Sequence, residues 1–392
     1  METEELKVRI QEEVDAHRQE LIDLSLKIHD NPELGWREEK ASAWLADCLE
    51  KNGFEVERGI CDLPTAFRAS YGEGKPVIAF LCEYDALPDI GHGCGHNIIA
   101  TTGVGAGLAA RLLADQFGAK VLVMGSPAEE LLGGKIIMVE KGAFDGVDVA
   151  MIVHPIWQKN WAGLTSLANI FIEVEFHGKE AHASADPWDG ISALEALILA
   201  FNNINALRLH VKDRGRISGI ITDGGKAVNV IPKHAAGTFQ IRAPEDAYLD
   251  ELREKVLKCF EGAALSTGTR LEYRWGLRCS VMQHNLALLQ PWRKNMETLG
   301  RTVDDILDGI PGSIDMGNVS TVVPSIHPLI TISTEKLTAH SAEFAAAAAS
   351  DAGNRAVIDG AKALAMTAAD VIAQPEILRR IKDEFAEMRK QL

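Results

Sequence analysis

The sequence predicts an α/β fold: a mixed, mostly parallel sheet flanked by helices, with a smaller α+β domain of ferredoxin-like order inserted into it. Three observations carry this. Apolar runs at 76–82, 120–125 and 147–153 read as buried strands, with helix-like segments between them. From about residue 168 the texture changes to the order β-α-β-β-α-β, the split motif of ferredoxin-like folds. After about 281 helical signals and a short strand return, so the first domain resumes. The expected boundaries are 1–167 with 281–392 for the larger domain and 168–280 for the insertion.

Taken in order, residues 4–29 read as one long amphipathic helix, with Leu6, Ile10, Val14, Leu21, Leu24 and Ile28 along one side. Asn31-Pro32-Glu33-Leu34-Gly35 reads as a turn, and a helix from about 38 to 52 stops at Gly53. Strands follow near 54–58, 66–71 and 77–82, then a helix over about 98–117, a strand at 120–125 and a helix from Gly133-Gly134 to about Gly142. The strand at 147–153 ends in His154-Pro155. In the insertion, 168–177, 216–223, 234–242 and 269–282 read as strands, and 187–209 and 245–265 as helices. Beyond it come a helix at 285–299, a strand Leu329-Ile330-Thr331-Ile332, and an alanine-rich helix for which Ser341 is the natural N-cap.

Composition narrows the class of partner. The chain has 392 residues, 46% of them hydrophobic and 24% charged, with a formal net charge of −16. That balance argues against nucleic acids and anionic membranes, which need basic patches. The cysteines at 48, 61, 82, 94, 259 and 279 are scattered, so a reduced cytoplasm is expected rather than a disulfide framework. The first 20 residues are charged without an apolar core, so no secretory leader is expected. No apolar run approaches the roughly 18 residues of a membrane span.

The chemistry is concentrated between Glu83 and Asn97, after one predicted strand and before a predicted helix, where open α/β sheets build their sites. Cys94-x-His96 is its sharpest part. Glycines at 91, 93 and 95 let the backbone fold tightly enough for both side chains to reach one point. Thiolate and imidazole both suit a borderline-soft ion such as zinc. Taken alone, the pair favours a buried thiol beside a helix-capping turn. Further along, Glu129-Glu130 ends the next strand. Neighbouring side chains point different ways, so one can ligate a metal while the other serves as general base; a Glu-Glu pair alone reads as a solvated loop. His154 and His340 fall at two more such junctions, and several metal-type residues there outweigh any one of them. His17 and His29, like His92, His177, His210, His234, His284 and His327, read as structural or surface residues, with His92 nearest the metal set in sequence.

With these residues laid out, the chain resembles the M20 metallopeptidases and amidohydrolases, in the branch that holds the aminobenzoyl-glutamate hydrolases and the Xaa-Arg dipeptidases. The resemblance rests on Glu83-Tyr84-Asp85-Ala86-Leu87-Pro88, Gly91-His92-Gly93-Cys94-Gly95-His96-Asn97, Pro127-Ala128-Glu129-Glu130, His154 and Gly178-Lys179-Glu180-Ala181-His182-Ala183-Ser184. It continues through Asn229-Val230-Ile231-Pro232, Asp315-Met316-Gly317-Asn318-Val319-Ser320 and His340-Ser341-Ala342-Glu343-Phe344. It implies two divalent metal ions, Zn2+ or Mn2+ with Co2+ also suited, bound by Cys94, His96, Glu130, His154 and His340, with Cys94 bridging. It also implies Glu129 as general base, Asp85 orienting a ligand, and His182 steadying the oxyanion, often from a neighbouring copy of the chain. Asn229 and Arg242 would bind substrate, and the assembly would be a homodimer or higher oligomer. Where many relatives carry Asp-Met-Asp and Cys-Gly-His-Asp, this chain has Glu83-Tyr84-Asp85 and Asn97, which argues against substrates of the hippurate or auxin-conjugate type.

The expected reaction is hydrolysis of the amide bond in a small N-acyl amino acid or dipeptide with a free carboxylate. The alternative substrates are p-aminobenzoyl-glutamate-type or other aryl amides. Two other classes compete. A dehydrogenase is prompted by Gly103-Val104-Gly105-Ala106-Gly107, but these glycines lie inside a helix-like stretch rather than directly after a strand. A non-catalytic metal- or peptide-binding protein on the same fold is the other.

Overall fold

The computed structural model describes residues 3–131, 133–308 and 312–390. They divide into two compact units, one of Met1–Thr165, Met282–Ile310 and Ile314–Leu392, the other of Ser166–Val281 with Pro311–Ser313.

The larger unit is built on the strand Val77–Glu83, every residue of which is buried. Its side chains are apolar on both faces, so it is stable only between neighbours and under cover on both sides. It lies fourth in a six-stranded sheet, in the order Glu55–Arg58, Phe67–Tyr71, Lys120–Ser126, Val77–Glu83, Val149–Met151, Ser325–Ile326. The first two pairings in that order are antiparallel and the other three parallel. A second sheet holds Val303–Asp304, Asn160–Trp161, Leu329–Ser333 and His154–Trp157. The run expected as one strand at 147–153 is shorter, because the chain changes sheets there: the N–H of Ile152 donates to Ile326 O, and that of His154 to Pro328 O in the connection between two strands.

The helix His96–Phe117 packs against this sheet and against the helices Arg18–His29 and Asp351–Ala373. A Cβ on Gly103 would lie 2.6 Å from Cys82 Sγ, one on Gly107 2.2 Å from Val123 Cγ2, and one on Gly105 2.8 Å from Leu21 Cδ1. The glycine series therefore serves close packing on two sides of a helix, not a phosphate-binding turn. This helix is long and apolar enough to cross a membrane, contrary to the expectation that no segment is. With 89% of its apolar window buried, it is a core helix of this unit.

The N-terminal segment is two helices, Thr3–Ala16 and Arg18–His29, not one. The break falls at His17, whose ring nitrogens lie 3.6 Å from Glu13 Oε1 and 3.0 Å from Glu20 Oε2. The apolar spacing runs through it unchanged, which is why periodicity does not reveal it.

In the smaller unit the sheet order is Arg216–Asp223, His234–Ala243, Ala168–His177, Arg270–Cys279, all antiparallel. This is the ferredoxin-like order. Ile170, Ile172, Val174 and Phe176 alternate into a core shared with the helices Ala193–Arg208 and Asp246–Thr267. The stretch expected as one helix from 187 to 209 is a 3-10 turn, Pro187–Asp189, followed by a helix capped by Ser192, which accepts from the N–H of Glu195. Ser192-x-x-Glu195 is the sequence signature of that start.

Candidate metal centre

The site is assembled where strands of the larger unit end. Two residues beyond Glu83 lies Asp85, whose buried carboxylate holds two neighbours. Oδ1 accepts from His96 Nδ1 at 3.0 Å and Oδ2 accepts from the N–H of Glu130 at 2.9 Å. Gly95 caps the helix that starts at His96, with φ +75°. A Cβ there would also lie 2.5 Å from Pro155 Cγ, so this position needs glycine on both counts. Because His96 Nδ1 donates to Asp85, its Nε2 points inward; burial works against the charged ring, but Asp85 and then Cys94 outweigh it and raise its pKa well above the usual imidazole range. Nε2 faces Glu83 Oε2 at 3.8 Å, Glu129 Oε2 at 3.9 Å and Glu130 Oε1 at 3.9 Å.

Glu129 and Glu130 leave the strand Lys120–Ser126 through Ala128, which sits in the left-handed region at φ +56°. Such a residue costs on the order of 1 kcal/mol or more and persists only where its surroundings hold it. The holder is Glu38, fully buried. Its Oε1 accepts from the N–H groups of Ala128 at 2.7 Å and Trp36 at 3.0 Å, and its Oε2 accepts from Thr65 Oγ1 at 2.9 Å.

His154 stands where the chain passes between the two sheets. Its Nδ1 donates to Pro155 O at 2.7 Å, leaving Nε2 3.4 Å from Cys94 Sγ. Burial, and then the neighbouring His96, depress its pKa to about 4, so it is a neutral ring with a lone pair to give. His340 also has positive φ, +58°; its N–H donates to Gly93 O at 3.2 Å and its Nε2 lies 3.6 Å from Glu130 Oε2.

Three overlapping groups result, each with its donor atoms within 4.8 Å of one another: Cys94, His96 and His154; Cys94, Glu130 and His340; His96, Glu129 and Glu130. His96 Nε2, Glu130 Oε1 and Glu83 Oε2 are buried without a hydrogen-bond partner. Buried polar atoms left unpaired are costly, and here an imidazole nitrogen faces carboxylate oxygens across a short gap. Burial, and then the carboxylates of Glu83, Asp315 and Glu130, push the Glu129 carboxyl well above its usual range. Burial and Glu130 raise the Cys94 thiol. The pocket thus holds more acidic groups than its own cations balance, and its sulfur, nitrogen and oxygen donors fit divalent ions such as zinc, manganese or cobalt.

Beneath this set lies a buried triad that sequence reasoning does not reveal. Lys135 Nζ donates to Glu83 Oε1 at 2.5 Å and to Asp315 Oδ1 at 2.6 Å, and its backbone N–H donates to Asp315 Oδ2 at 3.0 Å. Burial works against the ammonium, but Asp315 and Glu83 outweigh it and raise its pKa. A lone lysine in the apolar run after Gly133-Gly134 is the one signal available for it. His327, expected as structural, is buried with its ring 5.5 Å from that of His154. Nothing local marks Glu38.

The remaining candidates belong to the smaller unit. His182 is exposed on a two-residue strand paired with Val230, and its Nδ1 accepts from the N–H groups of Ser184 at 3.2 Å and Ala185 at 3.1 Å. Asn229 adjoins it through the same two-stranded pairing, its carbonyl accepting from the N–H of Ala183 at 3.0 Å. Arg242 is partly buried on the strand His234–Ala243, opposite Arg216 and Asn169.

A family profile described as a peptidase dimerisation domain of M20 type matches residues 168–267. The chain is 40% identical to the Xaa-Arg dipeptidase of Mus musculus over 98% of this chain and 93% of the relative. It is 38% identical to one of the subunits of the p-aminobenzoyl-glutamate hydrolase of Escherichia coli, over 71% of this chain and 62% of that protein. A solved structure of a dinuclear metal binding peptidase of the M20 family from Bacillus subtilis shares the fold, with a TM-score of 0.69 at 20% identity, covering 92% of this chain and 99% of the other. Identity of this extent along nearly the whole length places the chain: it belongs to the M20 family of peptidases and amidohydrolases, and it is a hydrolase.

Proposed function

We propose that the protein is a metal-dependent amidohydrolase that cleaves a dipeptide or a small N-acyl amino acid carrying a free carboxylate. The carrying observation is the set of buried, unpartnered donor atoms, His96 Nε2, Glu130 Oε1 and Glu83 Oε2, facing one another beside Cys94 and His154. Cys94, His96, Glu130, His154 and His340 would hold two divalent ions, with Cys94 shared between them. When bound, such a pair lowers the pKa of water and polarises a scissile carbonyl.

The chain's own groups do the rest. Glu129 takes the proton of the attacking water and returns it to the leaving amine. Asp85 fixes the ring of His96 and the backbone of Glu130 at once. His182 accepts two backbone N–H groups at Nδ1, so a neutral ring carries its proton on Nε2, the tautomer that can donate to a developing oxyanion. Asn229 and Arg242 hold the polar ends of the substrate. The inserted unit acts as lid and dimerisation domain, and closure would exclude water before chemistry.

The test is amine release from a panel of dipeptides, N-acyl amino acids and p-aminobenzoyl-glutamate. The protein is reloaded with zinc or manganese, and Glu129→Ala serves as control. Release by the wild type alone, with dipeptides preferred, supports this reading. Preference for p-aminobenzoyl-glutamate would move the substrate to the aryl amides, which the likeness to the Escherichia coli protein favours. No release with any metal would overturn the proposal.

A further inference from the structure

A second cluster of metal-type side chains lies in the smaller unit and shares no residue with the centre described above. The strand Ala168–His177 turns Ile172, Val174 and Phe176 into the core and leaves Glu173 and Glu175 exposed on the other face. Residues two apart on a strand share a face, so His177 joins Glu175 there. The register then stacks two cross-strand pairs: His177 lies opposite His234, and Glu175 lies opposite Glu272. Like charges placed directly opposite one another are destabilising. Arg270 pairs with Glu272 and offsets part of this. Asp223 adds a further carboxylate from the edge strand Arg216–Asp223.

The contacts within the cluster are directional. His234 sits between two carboxylates, Nδ1 2.8 Å from Asp223 Oδ2 and Nε2 2.9 Å from Glu175 Oε2. His177 Nε2 lies 3.4 Å from Glu272 Oε2 and 3.7 Å from Glu175 Oε2, and it is buried without a hydrogen-bond partner. The two rings stand 5.2 Å apart. Donor atoms of Glu175, His177 and His234 all fall within 4.8 Å of one another.

We propose that this cluster is a second divalent-cation site, suited to zinc, with His177 Nε2, His234 Nε2 and Glu175 as ligands and Glu272 in reach as a fourth. Two imidazoles and two carboxylates make the nitrogen and oxygen set that zinc accepts in tetrahedral geometry. Asp223 supplies a partner of the kind that metal-binding histidines commonly have. A carboxylate on Nδ1 fixes the tautomer and aims Nε2 at the ion. The strands are adjacent and in continuous register over these residues, so little rearrangement is needed to gather the donors.

The experiment counts ions on the full chain. Protein stripped by a chelator is titrated with Zn2+ at neutral pH against a chromophoric competitor, for the wild type and for His177→Ala, His234→Ala and Asp223→Asn. The wild type is expected to take up one equivalent more than either histidine variant. Asp223→Asn should keep that equivalent with an affinity lower by about 10- to 100-fold. Amide hydrolysis should be unchanged in all three, which separates this site from the catalytic one. Because the result is a difference in uptake, it stands whatever the other unit binds. If either histidine variant fails to fold, Glu175→Gln carries the same comparison. Equal uptake by the wild type and the variants would overturn the proposal and leave the cluster as an imidazolium ion-pair network.

Discussion

The buried Lys135 is the group whose removal should be felt most. Lys135→Met keeps the aliphatic stem and deletes the charge. Nζ is fully buried and makes two contacts, 2.5 Å to Glu83 and 2.6 Å to Asp315. Removing one partner from a buried ion pair costs about 3–5 kcal/mol. Two carboxylates are stranded here, beside Glu129 and its neighbours, so the upper part of that range applies. At about 2–4 °C per kcal/mol for a domain of this size, the melting temperature should fall by roughly 10–20 °C. The stranded carboxylates would relieve the cost by taking up protons. In the variant their folded pKa lies above the unfolded value, so the deficit is full in alkali and shrinks as pH falls. The assay is thermal unfolding of metal-free wild type and variant from mildly acidic to mildly alkaline pH, with Lys135→Met/Asp315→Asn expected to recover part of the loss. A variant melting within about 2 °C of wild type at neutral pH, less than 1 kcal/mol by the same conversion, would refute the reasoning.

Three further outcomes follow from the geometry. Glu129→Gln preserves shape and should leave metal content unchanged while lowering kcat by about 10²- to 10⁴-fold; near-normal turnover would remove Glu129 as the base. Asp85→Asn removes the carboxylate that steadies His96 and should weaken metal affinity by about 10- to 100-fold in chelator competition, and unchanged affinity would argue against that role. His284 is partly buried, its ring largely shielded from water, which depresses its pKa to about 4, and it donates to Leu164 O. Its folded pKa lies below the unfolded value, so its contribution is present above about pH 6.5 and is lost as pH falls toward the folded pKa, by up to about 3 kcal/mol. Denaturant titrations across that window should show a flatter pH dependence for His284→Gln, and an unchanged slope would assign the effect elsewhere.

Much of the fold is visible in local pattern. The buried strand Val77–Glu83, apolar up to its last residue, and the alternating Ile170, Ile172, Val174 and Phe176 each announce how many of their faces are covered. Cys94, His96, Glu129, Glu130, His154 and His340 stand out because reactive types recur at strand ends, and the structure brings them to one place. What escapes is of another kind. Lys135 meets Asp315 across 180 residues of sequence, and Glu38 meets Ala128 across 90. No periodicity encodes a pairing over such distances. The break at His17 keeps the apolar spacing on both sides, so no pattern records it. The passage of the chain between sheets at His154 depends on Ser325–Ile326 and Leu329–Ser333, strands far later in the chain.

That order along the chain has a consequence during synthesis. Cys94, His96, Glu129, Glu130 and His154 emerge early, whereas His340 emerges only after the whole inserted unit has been made. At ordinary rates of elongation the delay is roughly ten to forty seconds. For that interval the nascent chain presents a thiol, imidazoles and carboxylates with one side of the cluster open. His340, more than half exposed even in the finished protein, arrives last and from the outside. A chain cut short anywhere in the inserted unit would thus carry most of the donors and still lack His340.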